Sequence, residues 1–131
     1  MRIRTLVRAG LVATAACALS VAAPSSAAPW DVVLGQANLY PSSSGYGTVA
    51  PRTVDNSSIC AGIVHSITWT GWGAPVAVGR GTQCHSAGAV GRGERPRIVT
   101  LSASNLGLCN GRLAYRTLRY DGGEARNICP R

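Results

Sequence analysis

The 131-residue chain contains no phenylalanine and no lysine, and its one methionine is Met1. A hydrophobic core must therefore come from valine, isoleucine and leucine, together with tyrosine and tryptophan. Such a core is lean, and a domain of about 100 residues buries only a limited fraction of its surface. We therefore expect covalent cross-links to contribute to the stability of the fold.

Motifs that carry chemistry are also missing. No G-x-S-x-G turn presents a serine nucleophile, and the pieces G-R-G-T and G-R-G-E match neither a phosphate-binding loop nor a dinucleotide fingerprint. Asp121 and Glu124 lie together in a predicted turn, whereas sugar hydrolysis needs two acids across a cleft. We predict no enzymatic activity, no cofactor and no nucleic-acid partner.

The beginning of the chain has the regions of a secretory signal peptide. Arg2, Arg4 and Arg8 precede an apolar run at 11–23, and small residues follow it. We expect cleavage after Ala27, which gives a signal peptide over 1–27 and a single secreted β domain over 28–131.

An alternative interpretation makes Cys17 the lipidated cysteine of a lipoprotein signal, although Thr14 stands where a leucine-like residue is expected. No later stretch approaches the roughly 20 apolar residues that a membrane span requires. We therefore predict a secreted monomer without a transmembrane anchor.

All thirteen basic residues are arginines, against five acidic residues, and the formal net charge is +8. Removal of the predicted signal peptide takes away three arginines, which leaves ten basic residues against five acidic ones. Arginine without lysine, beside abundant alanine and glycine, indicates a GC-rich bacterial genome, and we expect an actinobacterial source. The positive charge favours contact with an anionic envelope polymer.

Four cysteines remain in the predicted mature domain: Cys60, Cys84, Cys109 and Cys129. An even number in an exported chain indicates two disulfides, and three pairings are possible. The sequence does not choose between them, and we lean to Cys60 with Cys84 and Cys109 with Cys129, a pairing in which each loop would contribute roughly 3 kcal/mol. A metal site is not expected, because Cys84 and His85 are the only adjacent pair of ligand types.

The segment 60–70 alternates with a period of two. Ile63, His65, Ile67 and Trp69 share one face, which we predict to be the buried face. A histidine among apolar neighbours is typical of a hydrogen-bonded structural residue, which is the role we expect for His65.

The returning strand after the turn at 71–75 alternates between large and small side chains. Ala77, Gly79 and Gly81 form a face small enough for a large ring to approach closely. We predict that Trp69 and Trp72 are core aromatics and that one of them covers this face.

Further strand-like runs follow the same pattern, and no helical period occurs beyond the signal peptide. The predicted strands lie at 30–40, 48–54, 97–103 and 113–120. A loop is predicted at 105–111. The fold class is therefore all-β, as a small antiparallel sandwich or barrel stapled by two disulfides.

Arginines recur on the last predicted strand. Arg112, Arg116 and Tyr120 fall on one face, and Arg119 falls on the other. Guanidinium groups bind phosphate and carboxylate oxygens, so Arg112 and Arg116 are candidate anion-binding residues. The alternative is an ordinary exposed strand face.

Three pieces of sequence resemble a group of small secreted actinobacterial proteins of unknown function: W-T-G-W-G-A-P-V-A-V-G-R-G-T at 69–82, V-T-L-S at 99–102 and C-N-G-R-L-A-Y at 109–115. The resemblance covers roughly residues 60–120 and implies secretion and a β fold without any activity. Members tend to carry a second cysteine after the glycine strand, whereas here only Cys84 is present, which leaves the pairing open.

We predict an extracellular, non-enzymatic domain that acts by binding or as an envelope component. A second resemblance, of kind only, is to secreted actinobacterial peptidase inhibitors, which are β domains of this size with two disulfides. No reactive-site motif aligns. This likeness implies an alternative function as a peptidase inhibitor, with the exposed loop Ala87 to Arg97 as reactive segment and Arg92 or Arg95 directed at trypsin-like enzymes.

Overall fold

A computed structural model describes residues 28–56 and 59–131. The predicted signal peptide and the alternative lipidation site Cys17 lie outside the described residues. The strands are β1 (Val33–Leu34), β2 (Val54–Asp55), β3 (Ile63–Thr70), β4 (Val76–Gln83), β5 (Ile98–Cys109), β6 (Arg112–Tyr120) and β7 (Arg126–Asn127). Two 3-10 turns, Pro29–Asp31 and Cys60–Gly62, and a short helix α1 (Ala87–Gly91) complete the elements.

The strands form a single sheet that curls into a half-barrel, with the order β1-β6-β5-β4-β3-β2 and β7 paired to β6. Strands β3 to β6 are an antiparallel meander, whereas β1 pairs with β6 in parallel. The prediction of an all-β domain is confirmed. The short strand β2 pairs with the start of β3, and β1 and β7 pair with the middle of β6, so each outer edge of the meander is covered in part.

Two disulfides join Cys60 to Cys84 and Cys109 to Cys129, as predicted. The first ties the 3-10 turn before β3 to the residue after β4, and the second ties the end of β5 to the C-terminal tail. The first bond therefore closes a loop that contains β3 and β4, and the second closes a loop that contains β6 and β7. Structural disulfides of this kind indicate an oxidising environment.

Within residues 28–56 and 59–131, the buried core contains no polar or charged side chain other than tyrosine. Its largest fully buried side chain is Tyr115, which takes the place that phenylalanine fills in many domains. The other members are mainly aliphatic, including Val32, Leu34, Val54, Val64, Ile67, Leu101, Leu118 and Ile128. The lean core predicted from composition is therefore what the structure shows.

Strand β3 does not keep one face buried along its length. Its pairing with β4 shifts by one residue between His65 and Thr68, and Ser66 has a φ of 54°. Such a bulge moves every following side chain to the other face. Val64 before the bulge and Ile67 after it are therefore both buried, at 2% and 3% exposure, and the prediction that His65 shares the buried face with Ile67 is wrong.

Beyond the bulge, the predicted arrangement is confirmed. Ala77, Gly79 and Gly81 of β4 are buried, and Val76 and Val78 on the opposite face are exposed. A Cβ placed on Gly79 would stand 2.9 Å from the Trp69 ring, so only glycine lets that ring approach. Trp69 therefore covers the small face.

Trp72 packs beside Trp69 rather than over the glycines. Its ring centroid lies 4.9 Å from that of Trp69 and 5.0 Å from that of Tyr115, both edge to face. Tyr115 in turn accepts a hydrogen bond from the Gly73 amide (2.9 Å) and donates one to the Ala74 carbonyl (2.6 Å). These contacts fix the turn at 71–75, which carries Trp72, against β6.

Several segments differ from the sequence prediction. The runs at 30–40 and 48–54 contribute only the two-residue strands β1 and β2, and the predicted loop at 105–111 is mostly the second half of β5. Asn105 continues that strand with a φ of 61°, a conformation that asparagine tolerates. The loop after Cys84 contains α1, which no periodicity indicates. Within the described ranges, no helix has both the length and the apolar character to cross a membrane.

Candidate functional site

A cleft of about 610 Å³ opens where β6 ends and β3 begins. The buried side chains Val64 and Val99 form its base, and Tyr40 stands in its wall. The polar lining comes from separate parts of the chain: Asn56, Gln83, Arg97, Tyr120, Asp121 and Arg126. A cleft with an apolar base and a few convergent polar groups is the usual form of a ligand site.

Asp121, the residue after β6, is bonded to β5 and to the residue that precedes it, and so fixes one side of the cleft. Its Oδ1 accepts from the Thr100 amide at 2.8 Å, and its Oδ2 accepts from Arg97 Nη2 at 2.7 Å. Asp121 has a φ of 50°, and its own amide donates to the Thr100 carbonyl. The Arg97 side chain is 65% exposed, so this ion pair adds little to stability and mainly positions both groups.

A chain of hydrogen bonds runs from the core to the wall of the cleft. The buried hydroxyl of Tyr46 donates to Asn56 Oδ1 at 2.6 Å, and Asn56 Nδ2 donates to the Tyr120 hydroxyl at 3.3 Å. Burial raises the pKa of Tyr46 well above its usual range, and the neighbouring Tyr120 raises it further. Tyr46 therefore stays protonated and fixes the orientation of the Asn56 amide.

Arg126, the first residue of β7, completes the cleft. Its guanidinium carbon lies 4.9 Å from the centre of the Tyr120 ring, a cation–π contact. That guanidinium makes no ion pair with any residue that the structure describes. Its N–H groups are consequently available to a ligand.

The sequence-predicted arginines lie elsewhere and are not brought together. Arg116 donates from Nε and Nη2 to the carbonyl and side-chain oxygens of Asn105, at 3.2 and 2.9 Å. Arg112 donates to the Gly47 carbonyl at 3.3 Å and borders a different depression from Arg116. Anion binding by this pair stays a prediction.

Tyr120 does not share a face with Arg112 and Arg116, which corrects the sequence interpretation. Tyr115 and Leu118, three residues apart, both lie in the main core. A strict alternation would send them to opposite faces, so the face changes at Arg116 and Thr117. Tyr120 consequently packs on the core side and reaches the cleft.

His65 lies outside the cleft lining, with Nδ1 placed 3.1 Å from Ser66 Oγ. Across residues 28–56 and 59–131, no group of three or more histidine, cysteine, aspartate or glutamate side chains could hold a metal ion. The four cysteines are paired and serve the fold.

The loop Ala87 to Arg97 projects from the hairpin of β4 and β5. Its base is closed by a hydrogen bond from the Gln83 amide to the Arg97 carbonyl at 2.9 Å, beside the disulfide at Cys84. Within the loop, Arg92 Nε contacts Glu94 Oε1 at 2.8 Å, and Arg95 is exposed.

Comparison of the chain with models of protein families, with curated proteins and with solved structures finds no match in any of the three. The geometry alone therefore defines the class of protein. It is a disulfide-stapled half-barrel, and its cleft between the end of β6 and the start of β3 collects polar side chains from distant segments.

Proposed function

We propose that the chain is exported and that its mature part is a non-enzymatic binding domain whose ligand occupies the cleft. The observation that carries this proposal is the convergence of Asn56, Arg97, Tyr120 and Arg126 on one concave site. These residues belong to separate loops and strands, so the fold must be complete before the site exists. Two disulfides and the predicted signal peptide support export.

The cleft chemistry favours binding over catalysis. Its carboxylate, Asp121, uses both oxygens to accept hydrogen bonds from Thr100 and Arg97. Among the described lining residues Asp121 is the one carboxylate, and no histidine, cysteine or serine stands beside it as a catalytic partner. The remaining polar groups are amides, tyrosines and guanidinium groups, which are suited to holding a ligand in place.

We expect the ligand to be part of the cell envelope, since the predicted mature domain is basic and envelope polymers are rich in anionic groups. The exposed side chain of Ala61 lines the cleft, so an Ala61→Trp variant fills the site without entering the core. We predict that the secreted protein sediments with isolated Gram-positive cell walls and that A61W reduces the bound fraction at least about 10-fold.

Ala87→Trp is the matched control, because Ala87 is exposed and lies outside the cleft. A non-specific gain of binding from the new indole would appear equally in both variants. Retention of A61W at the level of A87W would contradict the cleft as the ligand site, as would a wild-type protein that stays in the supernatant.

A second candidate function, peptidase inhibition, is favoured by the anchored loop Ala87 to Arg97. Its closed base and exposed tip are what a reactive segment requires, because a preorganised loop loses little entropy on binding. Arg92 is paired with Glu94, which leaves Arg95 as the candidate reactive residue.

This hypothesis predicts that the protein at micromolar concentration inhibits trypsin. Arg95→Ala should then weaken inhibition by about 100-fold, the effect of losing a central interface residue, whereas Arg92→Ala should change it little. Inhibition constants measured with a chromogenic substrate test this directly. Absence of inhibition of both trypsin and subtilisin would remove this second function.

A further inference from the structure

The cleft offers hydrogen-bond donors, whereas most of the side-chain amide and carboxylate oxygens in its described lining already accept a hydrogen bond from the protein. Both oxygens of Asp121 and the side-chain oxygen of Asn56 accept hydrogen bonds from the protein. Among the amide and carboxylate oxygens of the described lining, this leaves Oε1 of Gln83. The complement of such a surface is a ligand that is rich in acceptors.

The donors are held in place by the core. Because Tyr46 donates to Asn56 Oδ1, the Asn56 amide nitrogen must face Tyr120. The Tyr120 oxygen therefore accepts that bond, and its own proton can be donated either to the neighbouring Tyr46 hydroxyl or to a ligand. Arg126 stacks on the same ring, so a hydroxyl donor and a guanidinium lie side by side at the cleft wall.

The described cleft lining also carries more positive than negative charge, with two arginines against one aspartate. Arg97 is compensated by Asp121 at 2.7 Å, whereas Arg126 has no carboxylate partner within the described ranges. A guanidinium with free N–H groups beside a hydroxyl donor is an arrangement that binds phosphate or carboxylate through charge-assisted hydrogen bonds.

We propose that the cleft is an oxyanion site, in which Arg126 and the Tyr120 hydroxyl bind a phosphate or carboxylate group of the ligand. This inference rests on the proposed function, because it names the ligand class of the same cleft. Arg97, held by Asp121, also lines the cleft.

Titration calorimetry on the full secreted protein tests this inference with three polymers: poly(glycerol phosphate), polygalacturonate and neutral dextran. The first two carry phosphate and carboxylate respectively, so their relative affinities identify the source of the oxyanion. We expect at least one anionic polymer to bind, with an affinity that falls as salt rises, and dextran not to bind.

Arg126→Gln removes the charge and keeps much of the side-chain length, and we expect it to lower the affinity by about 10- to 100-fold. Tyr120→Phe removes only the hydroxyl and should lower the affinity by about 5- to 10-fold. Arg80→Gln is the control, because Arg80 is exposed, lies outside the cleft and changes the net charge equally. Circular dichroism verifies that each variant is folded.

Three results would overturn the inference. Equal losses in R126Q and R80Q would show general attraction to a basic protein rather than a site. Dextran binding that A61W abolishes would leave the cleft as a ligand site and refute only its oxyanion character. If no polymer binds and wild-type protein also fails to sediment with cell walls, the proposed function falls together with the inference.

Discussion

Replacing Trp69 with alanine is expected to unfold the domain or to bring it close to unfolding. The Trp69 ring lies against Gly79 and contacts Trp72 edge to face, and Nε1 donates to the Pro51 carbonyl at 2.8 Å. Removing a large core aromatic costs about 3 to 5 kcal/mol, since the glycine face cannot collapse into the space. The total free energy of unfolding of a small domain is only about 5 to 15 kcal/mol.

Urea denaturation followed by circular dichroism measures this loss. Trp30→Ala is the matched control, because Trp30 is 72% exposed and its removal should change the unfolding free energy by less than about 0.5 kcal/mol. A W69A variant that retained wild-type stability but lost cell-wall binding would show that Trp69 belongs to a ligand site and not to the core.

The alternation of side chains along the sequence predicts those features of the fold that depend only on residues close together in the chain. The alternation of glycine with larger residues in β4 requires only that the strand be extended, and Trp69 indeed lies over Gly79. The bulge at Ser66 could not be predicted, because serine carries no strong preference for a φ of 54°. An alternation without this bulge places His65 on the buried face, which is why that prediction is wrong.

The cleft lies beyond what a single sequence can indicate. Asn56 and Tyr120 are 64 residues apart, and their hydrogen bond depends on the register of the whole meander. The turn at Asp121 is visible in the sequence as D-G-G, yet its pairing with Arg97 requires β5 and β6 to be aligned. The excess of arginines over acidic residues favours an anionic ligand, which is the class that we propose for the cleft.

The same limit explains the candidate pair Arg112 and Arg116. A period of two places them on one face of an ideal strand, but β6 changes face at Arg116. Arg116 crosses Gly107, where a Cβ would stand 2.5 Å from its guanidinium carbon, and holds the Asn105 backbone. The structure therefore gives this arginine a contact that stabilises the irregular part of β5.

The C-terminal tail depends on the second disulfide in a way that links stability to the cleft. Ile128 is 1% exposed and contributes to the main core, and its amide donates to the Arg116 carbonyl at 2.9 Å. Arg126 precedes it by two residues and is positioned by β7. Cys129 holds the tail beyond this point to β5 through Cys109.

A Cys109→Ala, Cys129→Ala double variant is therefore expected to lose about 3 kcal/mol of unfolding free energy, since the 20-residue separation is no longer closed in the unfolded chain. Without this disulfide β7 should loosen, so the Ile128 amide should exchange its hydrogen faster. The affinity for any ligand that Arg126 binds should also fall. Denaturant titration and amide exchange measure both effects.

The comparison with Cys60→Ala, Cys84→Ala separates the two contributions. Its separation of 24 residues gives a similar entropic loss of about 3 kcal/mol, but that disulfide does not hold the tail. Faster exchange of Ile128 should therefore be specific to the Cys109 and Cys129 variant when both are studied at equal fractions folded. Equal exchange rates in the two variants would show that the tail is held by the packing of Ile128 alone.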